Sequence, residues 1–257
     1  MKPVLMFSYA RSGGTILNQC LGSLPNTIIM SEVNPLGGGG NGPESLRTIR
    51  EQAKEWYGLE IRSSDFKAAL QELILIASSL HLHLILRDWS FVNFVEIRYN
   101  NYSPPNRLLL LDMFKDESEY TPFAFVRNAI DVWLSLDASP KQNYDSDLRH
   151  YLVFVKSLIQ SRIPIYKYED FCHDPVSTLK AICYKTGLEF SPSFSQYQTF
   201  TTLNGDTDLP EFSRGIQAGK ISVLKRRKIT KENKALIKSN SNILEINSLL
   251  GYPTIYE

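Results

Sequence analysis

The chain has 257 residues, 43% of them hydrophobic and 21% charged, with a formal net charge of +1. Such values suit an ordinary globular protein with enough chain to bury a sound core. A balance this close to neutral offers no overall attraction to nucleic acid or to an anionic membrane, so any anion site has to be built locally.

The first predicted element is a strand over residues 4–9, running into the stretch MFSYARSGGTIL from Met6 to Leu17. The start turns polar after a few apolar residues and does not read as a secretory signal. A polar loop with two glycines leads into a helix predicted over 15–24, and a strand follows over 27–30. The segment NPLGGGGNGP, Asn34 to Pro43, holds five glycines and reads as a flexible loop. Helices are expected over 44–57 and 65–79, the second with Ser64 as N-cap. The apolar stretch 70–86 is interrupted by Glu72, Ser78, Ser79, His81 and His83, so it is not a membrane span.

Strands are expected over 83–87, 108–111, 123–126 and 164–168, and helices over 129–136, 147–161, 175–187 and 231–250. The segment from Thr202 to Lys220 has no clear period and reads as mobile. Alternation of short strands with helices predicts βαβ units: an α/β protein with a central, mostly parallel sheet and helices on both faces. No linker divides the chain, so one domain, 1–257, is expected. In such a sheet, loops at the carboxyl ends of the strands build and cover the site.

The loop after the first strand resembles a phosphate-binding loop, G-x-x-x-x-G-K-[ST], whose amides surround phosphates while its lysine reaches the β/γ groups. Here the window is SYARSGGT: Ser8 replaces the first glycine, Gly13 is kept, Gly14 replaces lysine and Thr15 is kept. The amides from Arg11 through Ser12, Gly13, Gly14 and Thr15 to Ile16 can still form an anion nest at a helix N-terminus. The charge for a triphosphate with magnesium is gone, which disfavours a nucleotide kinase or GTPase. Arg11 instead offers bidentate contact to a smaller terminal anion. Taken alone, the loop also fits a plain strand-to-helix turn.

A second stretch, AFVRNAIDVWLSLD, puts Arg127 at the end of a predicted strand and Ser135 eight residues later on the next helix. Together the two stretches resemble the 3′-phosphoadenosine-5′-phosphosulfate (PAPS)-dependent sulfotransferases, which have a P-loop-like fold. The resemblance implies that the first loop holds the 5′-phosphosulfate, and that Arg127 and Ser135 hold the 3′-phosphate. In the stretch IPIYKYEDFCHDPVSTLKAICYKTGLEF it places Tyr168 against adenine. In FSRGIQAGKISVLKRRKIT it makes Arg214 and Lys220 candidates for a loop closing over the 3′-phosphate. A donor with one 5′-phosphate needs neither magnesium nor a Walker lysine, which suits the altered loop. The implied cofactor is PAPS, its product adenosine 3′,5′-bisphosphate (PAP), with no metal.

Sulfuryl transfer calls for a base on the acceptor, cations on the leaving phosphate, and alignment. Arg11 and Arg87, which ends a predicted strand, are the cationic candidates; Arg87 in a plain surface ion pair, with Asp88 as one partner, is the competing reading. Cytosolic family members carry a histidine where this chain has Trp89. The segment from Arg11 to Glu32 instead resembles the protein-tyrosine sulfotransferases and aligns Glu32 with their catalytic glutamate, a role suited to a carboxylate whose pKa is raised by partial burial. Asp88 is the alternative base.

His81 and His83 read as core or partly buried strand residues, and His150 and His173 as surface. Trp56, Tyr57, Trp89, Phe91 and Phe94 are core residues or acceptor-pocket lining. Arg226 or Arg227, in a basic run, is a further 3′-phosphate candidate beside the reading of a solvated face. Three scattered cysteines, Cys20, Cys172 and Cys183, suggest neither a disulfide framework nor a metal cluster. The expectation is a cytoplasmic enzyme transferring a sulfuryl group to a hydroxyl or amine of a small polar molecule, a natural product among the candidates. A nucleotide-binding module without turnover is the alternative, and a phosphotransferase a more distant one.

Overall fold

A computed structural model of the chain describes residues 2–36, 47–95, 103–115, 119–137, 148–204 and 220–253. Most of the glycine-rich segment and of the 202–220 segment, Arg214 included, lies outside the described residues. The sheet consists of β1 (Val4–Ser8), β2 (Thr27–Val33), β3 (His83–Asp88), β4 (Thr121–Val126) and β5 (Ile165–Lys167). All four pairings are parallel, in the order β2-β3-β1-β4-β5.

Strand alternation divides the core into two. Val4 and Met6 of β1 share one face with Ile29, Ile85, Phe123 and Phe125. That face is covered by α1 (Gly14–Gly22), α7 (Tyr168–His173), α8 (Pro175–Thr186) and 3₁₀ turns at Pro192–Thr199. Leu5 and Phe7 share the other with Ile28, Met30, Leu84, Leu86, Ala124 and Val126. Here lie α2 (Ile49–Tyr57), α3 (Phe66–Ser79), α4 (Leu109–Phe114), α5 (Ala129–Asp137), α6 (Arg149–Gln160), α9 (Lys231–Ser239) and α10 (Ser241–Leu249). Burial on both sides explains why β1 and β3 read as near-continuous apolar runs.

The expected α/β sheet with helices on both faces is therefore found, with corrections inside it. Residues 108–111 are not a strand: they open α4, which buries Leu110, Leu111 and Phe114 at helical spacing. Leucine favours helix more than β-branched residues do, and a short apolar run carries no period to separate the two. The expected helix over 231–250 is two helices, because Asn240 leaves the helical region and caps α10 by accepting from the amide of Ile243. Asp65 rather than Ser64 caps α3, accepting from Ala68. His81 is an exposed turn residue, not part of the strand, with φ of 55°, whereas His83 opens β3 half-buried.

β2 lies at the edge of the sheet, and side chains occupy its free hydrogen-bonding groups. The Tyr57 hydroxyl accepts from the Ile29 amide and donates to the Ile29 carbonyl, both at 3.0 Å. Gln52 does the same for Ser31, its Oε1 accepting at 2.7 Å and its Nε2 donating at 2.9 Å. α2 is thus fastened to the strand that carries Glu32.

Candidate active site

The loop between β1 and α1 turns through two left-handed residues, Arg11 with φ of 65° and Gly13 with φ of 84°. Gly13 caps α1 without a side-chain hydrogen bond, leaving the first amides of the helix for an anion. Neither glycine has room for a side chain. A Cβ on Gly13 would lie 2.3 Å from Tyr168 Cδ2, and one on Gly14 would lie 2.5 Å from Ser8 Oγ and 3.2 Å from Arg87 Nη2. A side chain at position 14 would therefore have to displace the Ser8 hydroxyl and crowd the Arg87 guanidinium.

At one end of the loop the fold gathers Arg11, Arg127, Ser135 and Tyr168. Arg11 Nε donates to Ser135 Oγ at 3.0 Å, and Arg127 Nη1 donates to the Arg11 carbonyl at 3.3 Å. The Arg127 guanidinium lies 4.5 Å from the centroid of the Tyr168 ring. Its Nε is buried without a hydrogen-bond partner, and Arg127 forms no ion pair among the described residues. Its backbone is held by Tyr151, whose hydroxyl accepts from Arg127 N at 3.1 Å and donates to Arg127 O at 2.8 Å. Burial pushes the Tyr151 phenol well above its ordinary value, which keeps it a donor.

The C-terminal part of the chain frames this end. Asn247 accepts from Ala129 N, the first amide of α5, at 2.9 Å. Glu169 accepts from Asn128 N at 3.1 Å and from the Tyr252 hydroxyl at 2.6 Å. Arg226 reaches Asp131 with two donors, Nε at 3.2 Å and Nη2 at 3.0 Å, one turn from Ser135 on α5. Lys220 is exposed and makes no hydrogen bond or ion pair with these residues.

At the other end stand Glu32 and Arg87. Arg87 Nη2 donates to Glu32 Oε1 at 2.9 Å, in a pair whose side chains are 7% and 13% exposed. Arg87 Nη1 also reaches Ser31 Oγ at 3.4 Å, and its Nε is buried without a partner. The guanidinium is thus not the surface group of the competing reading, nor paired with Asp88. Consecutive strand residues point to opposite faces, yet Ser31 and Glu32 both reach Arg87. The reason is a bulge: Met30 pairs with Leu86 and Val33 with Asp88, so β2 carries one extra residue, and Glu32 turns left-handed with φ of 53°. That conformation costs a non-glycine residue roughly 1–2 kcal/mol.

Asp88 lies on the opposite face of β3 from Arg87, 1% exposed. Asn34 Nδ2 donates to one carboxylate oxygen at 3.0 Å and Asn93 Nδ2 to the other at 3.3 Å. Enclosed in this way, it presents no oxygen to a molecule bound at the loop. Of the candidate pocket aromatics, Phe94 is core, edge-on to Phe154, and Tyr57 serves the β2 edge; Trp56, Trp89 and Phe91 are half-buried.

No family model and no curated protein matches the chain. Solved structures do. The sulfotransferase domain of the Synechococcus PCC 7002 olefin synthase aligns with a TM-score of 0.64 at 15% identity, covering 99% of this chain and 96% of that one. The chain has the sulfotransferase fold. The sulfotransferase domain from the curacin biosynthetic pathway follows with a TM-score of 0.56 at 15% identity and 98% coverage of both chains. A sulfotransferase from Alicyclobacillus acidocaldarius gives 0.51 at 14% identity, covering 98% of this chain and 97% of that one.

Several residues around the loop escape a reading of the sequence. Tyr151 carries no motif. Gln52 does leave a signal: it shares the buried face of α2 with Ile49 and Ala53, where an unpaired amide would be costly. Ser31 and Asn34 sit beyond the point at which the apolar run of β2 stops, and hence beyond its predicted end.

Proposed function

We propose that this chain is a single-domain, cytoplasmic sulfotransferase that moves a sulfuryl group from PAPS to a hydroxyl or amine of a small polar molecule, a natural product in the first instance. The observation that carries the reading is the pair of arginine-bearing ends of one loop: Arg11, Arg127 and Ser135 on one side, the Arg87–Glu32 ion pair on the other. Two arginine Nε atoms, those of Arg87 and Arg127, are buried with donor capacity unused, one at each end, and both fit the phosphates of a 3′,5′-bisphosphate. When bound, PAPS supplies the sulfuryl group and a phosphate leaving group.

The protein's part follows from its geometry. The amides of Gly13 and of the first turn of α1, Gly14 to Ile16, and the Arg11 guanidinium hold the 5′-phosphate; the Ser12 amide, also expected there, is already donated to the Tyr9 carbonyl at 3.2 Å. Arg127 and Ser135 hold the 3′-phosphate, with Arg11 leaving Ser135 for the ligand. Tyr168 packs against Gly13 and flanks the adenine, and Arg214 and Lys220 are further candidates for the 3′-phosphate. Glu32 would take the proton from the acceptor's oxygen or nitrogen as that atom bonds to sulfur, and Arg87 would offset the charge that the departing phosphate oxygen gains with the electron pair of the broken sulfur–oxygen bond. Asp88 is the weaker base candidate, because both of its oxygens are engaged by amides.

Thermal shift against PAP, AMP and magnesium-ATP tests the nucleotide assignment. A ligand at about 100 times its Kd adds roughly 2.7 kcal/mol, so PAP raises Tm selectively; selective stabilisation by magnesium-ATP overturns the reading in favour of a phosphotransferase. Glu32→Gln tests the base: kcat falls about 10²–10⁴-fold while PAP binding is kept. Tight PAP binding without transfer to any acceptor, water included, identifies a binding module instead.

A further inference from the structure

The bulge that turns Glu32 toward Arg87 is held by a buried polar cluster outside the loop. Immediately after the bulge, Val33 accepts from Trp89 N at 2.9 Å, and Asn34 follows, 1% exposed. The Asn34 amide nitrogen reaches Asp88 Oδ1 at 3.0 Å, Asn93 Oδ1 at 3.1 Å and the Trp89 carbonyl at 3.4 Å. Its oxygen accepts from Leu36 N at 3.0 Å, where the chain leaves the sheet. Asn93 Nδ2 closes the ring on Asp88 Oδ2. On the other side of Glu32, Gln52 holds both polar groups of the Ser31 backbone. Glu32 is thus the one residue between two clamped peptides, in a backbone conformation that an untethered glutamate abandons.

We propose that Asp88 and Asn34 are positioning residues that act through the Val33–Asn34 backbone to keep Glu32 left-handed and its carboxylate against Arg87. The assignment rests on the reading of Glu32 as the base. Asp88 touches no reacting atom; it supplies the fixed acceptor around which Asn34 and Asn93 are ordered. A buried carboxylate between two amides fits this use, since each of its oxygens takes one donor and neither is left for solvent.

The test combines Asn34→Ala with Glu32→Gln, reading PAP released from PAPS with water as acceptor, and PAP affinity by calorimetry. Asn34→Ala lowers kcat roughly 10–100-fold with the PAP Kd within about threefold of wild type. In the Glu32→Gln background, Asn34→Ala has no further effect on kcat, because the positioned group is already gone. Equal losses in both backgrounds overturn the proposal, as does an unchanged kcat in Asn34→Ala alone. If Glu32→Gln itself leaves kcat unchanged, the base assignment fails first and separately. Hydrogen exchange gives a readout independent of turnover: Asn34→Ala speeds exchange at the amides of 31–34 while the amides of α1 keep their protection. Unchanged exchange at 31–34 rejects the clamp.

Discussion

Gly13 and Gly14 show how single positions decide what the loop can hold. Gly13→Ala places a methyl group in the Tyr168 ring and a side chain on a left-handed backbone. The expected result is a loss of about 1–3 kcal/mol from the backbone alone and at least about a tenfold loss of PAP affinity, measured by denaturation and calorimetry. Gly14→Lys restores the lysine of the Walker pattern but neither its first glycine, which is Ser8 here, nor its geometry, because Ser8 Oγ stands 2.5 Å from where the Cβ must go. This variant gains no magnesium-ATP binding; thermal stabilisation by magnesium-ATP would contradict the steric account. The glycines and Arg11 are legible in the sequence because a local pattern fixes them. Glu32 is singled out only by the resemblance to the protein-tyrosine sulfotransferases, and the bulge that turns it toward Arg87 is not legible, since a β-bulge leaves no compositional mark when the extra residue is not glycine.

Among the elements, α10 has a larger role than its distance along the chain suggests. Asn247 caps α5 from another helix, at the amide two residues beyond Arg127. Asn247→Ala leaves that buried N–H unpaired, at a cost of about 1–3 kcal/mol, and weakens PAP binding severalfold by loosening the first turn of α5. Asn240→Ala is the control: it removes the cap of α10 itself, costs about 1 kcal/mol, and leaves PAP affinity unchanged. A parallel loss of affinity in both variants would make the effect one of global stability. Helix caps inside one element can be read from sequence, as the Thr48–Glu51 capping box of α2 can. A cap supplied from 118 residues away cannot. The same distinction explains α4: nothing local separates a buried four-leucine run in a strand from one in a helix, and packing decides.

For the molecule as a whole, buried ionisable groups set the response to pH. Burial pushes the Asp88 carboxyl from an ordinary 3.8 up to about 7, only partly offset by hydrogen bonding such as that from Asn34. The folded state then binds the proton more tightly than the unfolded state does, so stability falls as pH rises from about 4 to about 7 and is level on this account above that. The Tm of Asp88→Asn minus that of wild type accordingly grows more positive between pH 5 and pH 8; a difference independent of pH would refute the titration. The buried thiols behave alike. Burial raises all three, Cys183 to about 11, so the native protein resists alkylation at pH 8 and exposes its cysteines only on unfolding.

The side chains along β2 have one more consequence. By presenting a donor and an acceptor each, Tyr57 and Gln52 imitate the backbone of a sixth strand and occupy the positions where another chain would add itself. Replacing them with Phe and Leu keeps their bulk but uncovers a short hydrogen-bonding template. The double variant should self-associate as its concentration rises, a change that light scattering would register while the wild type stays constant. The two residues that steady the strand carrying Glu32 are also the ones that occupy the outward hydrogen-bonding groups of Ile29 and Ser31 at the sheet edge.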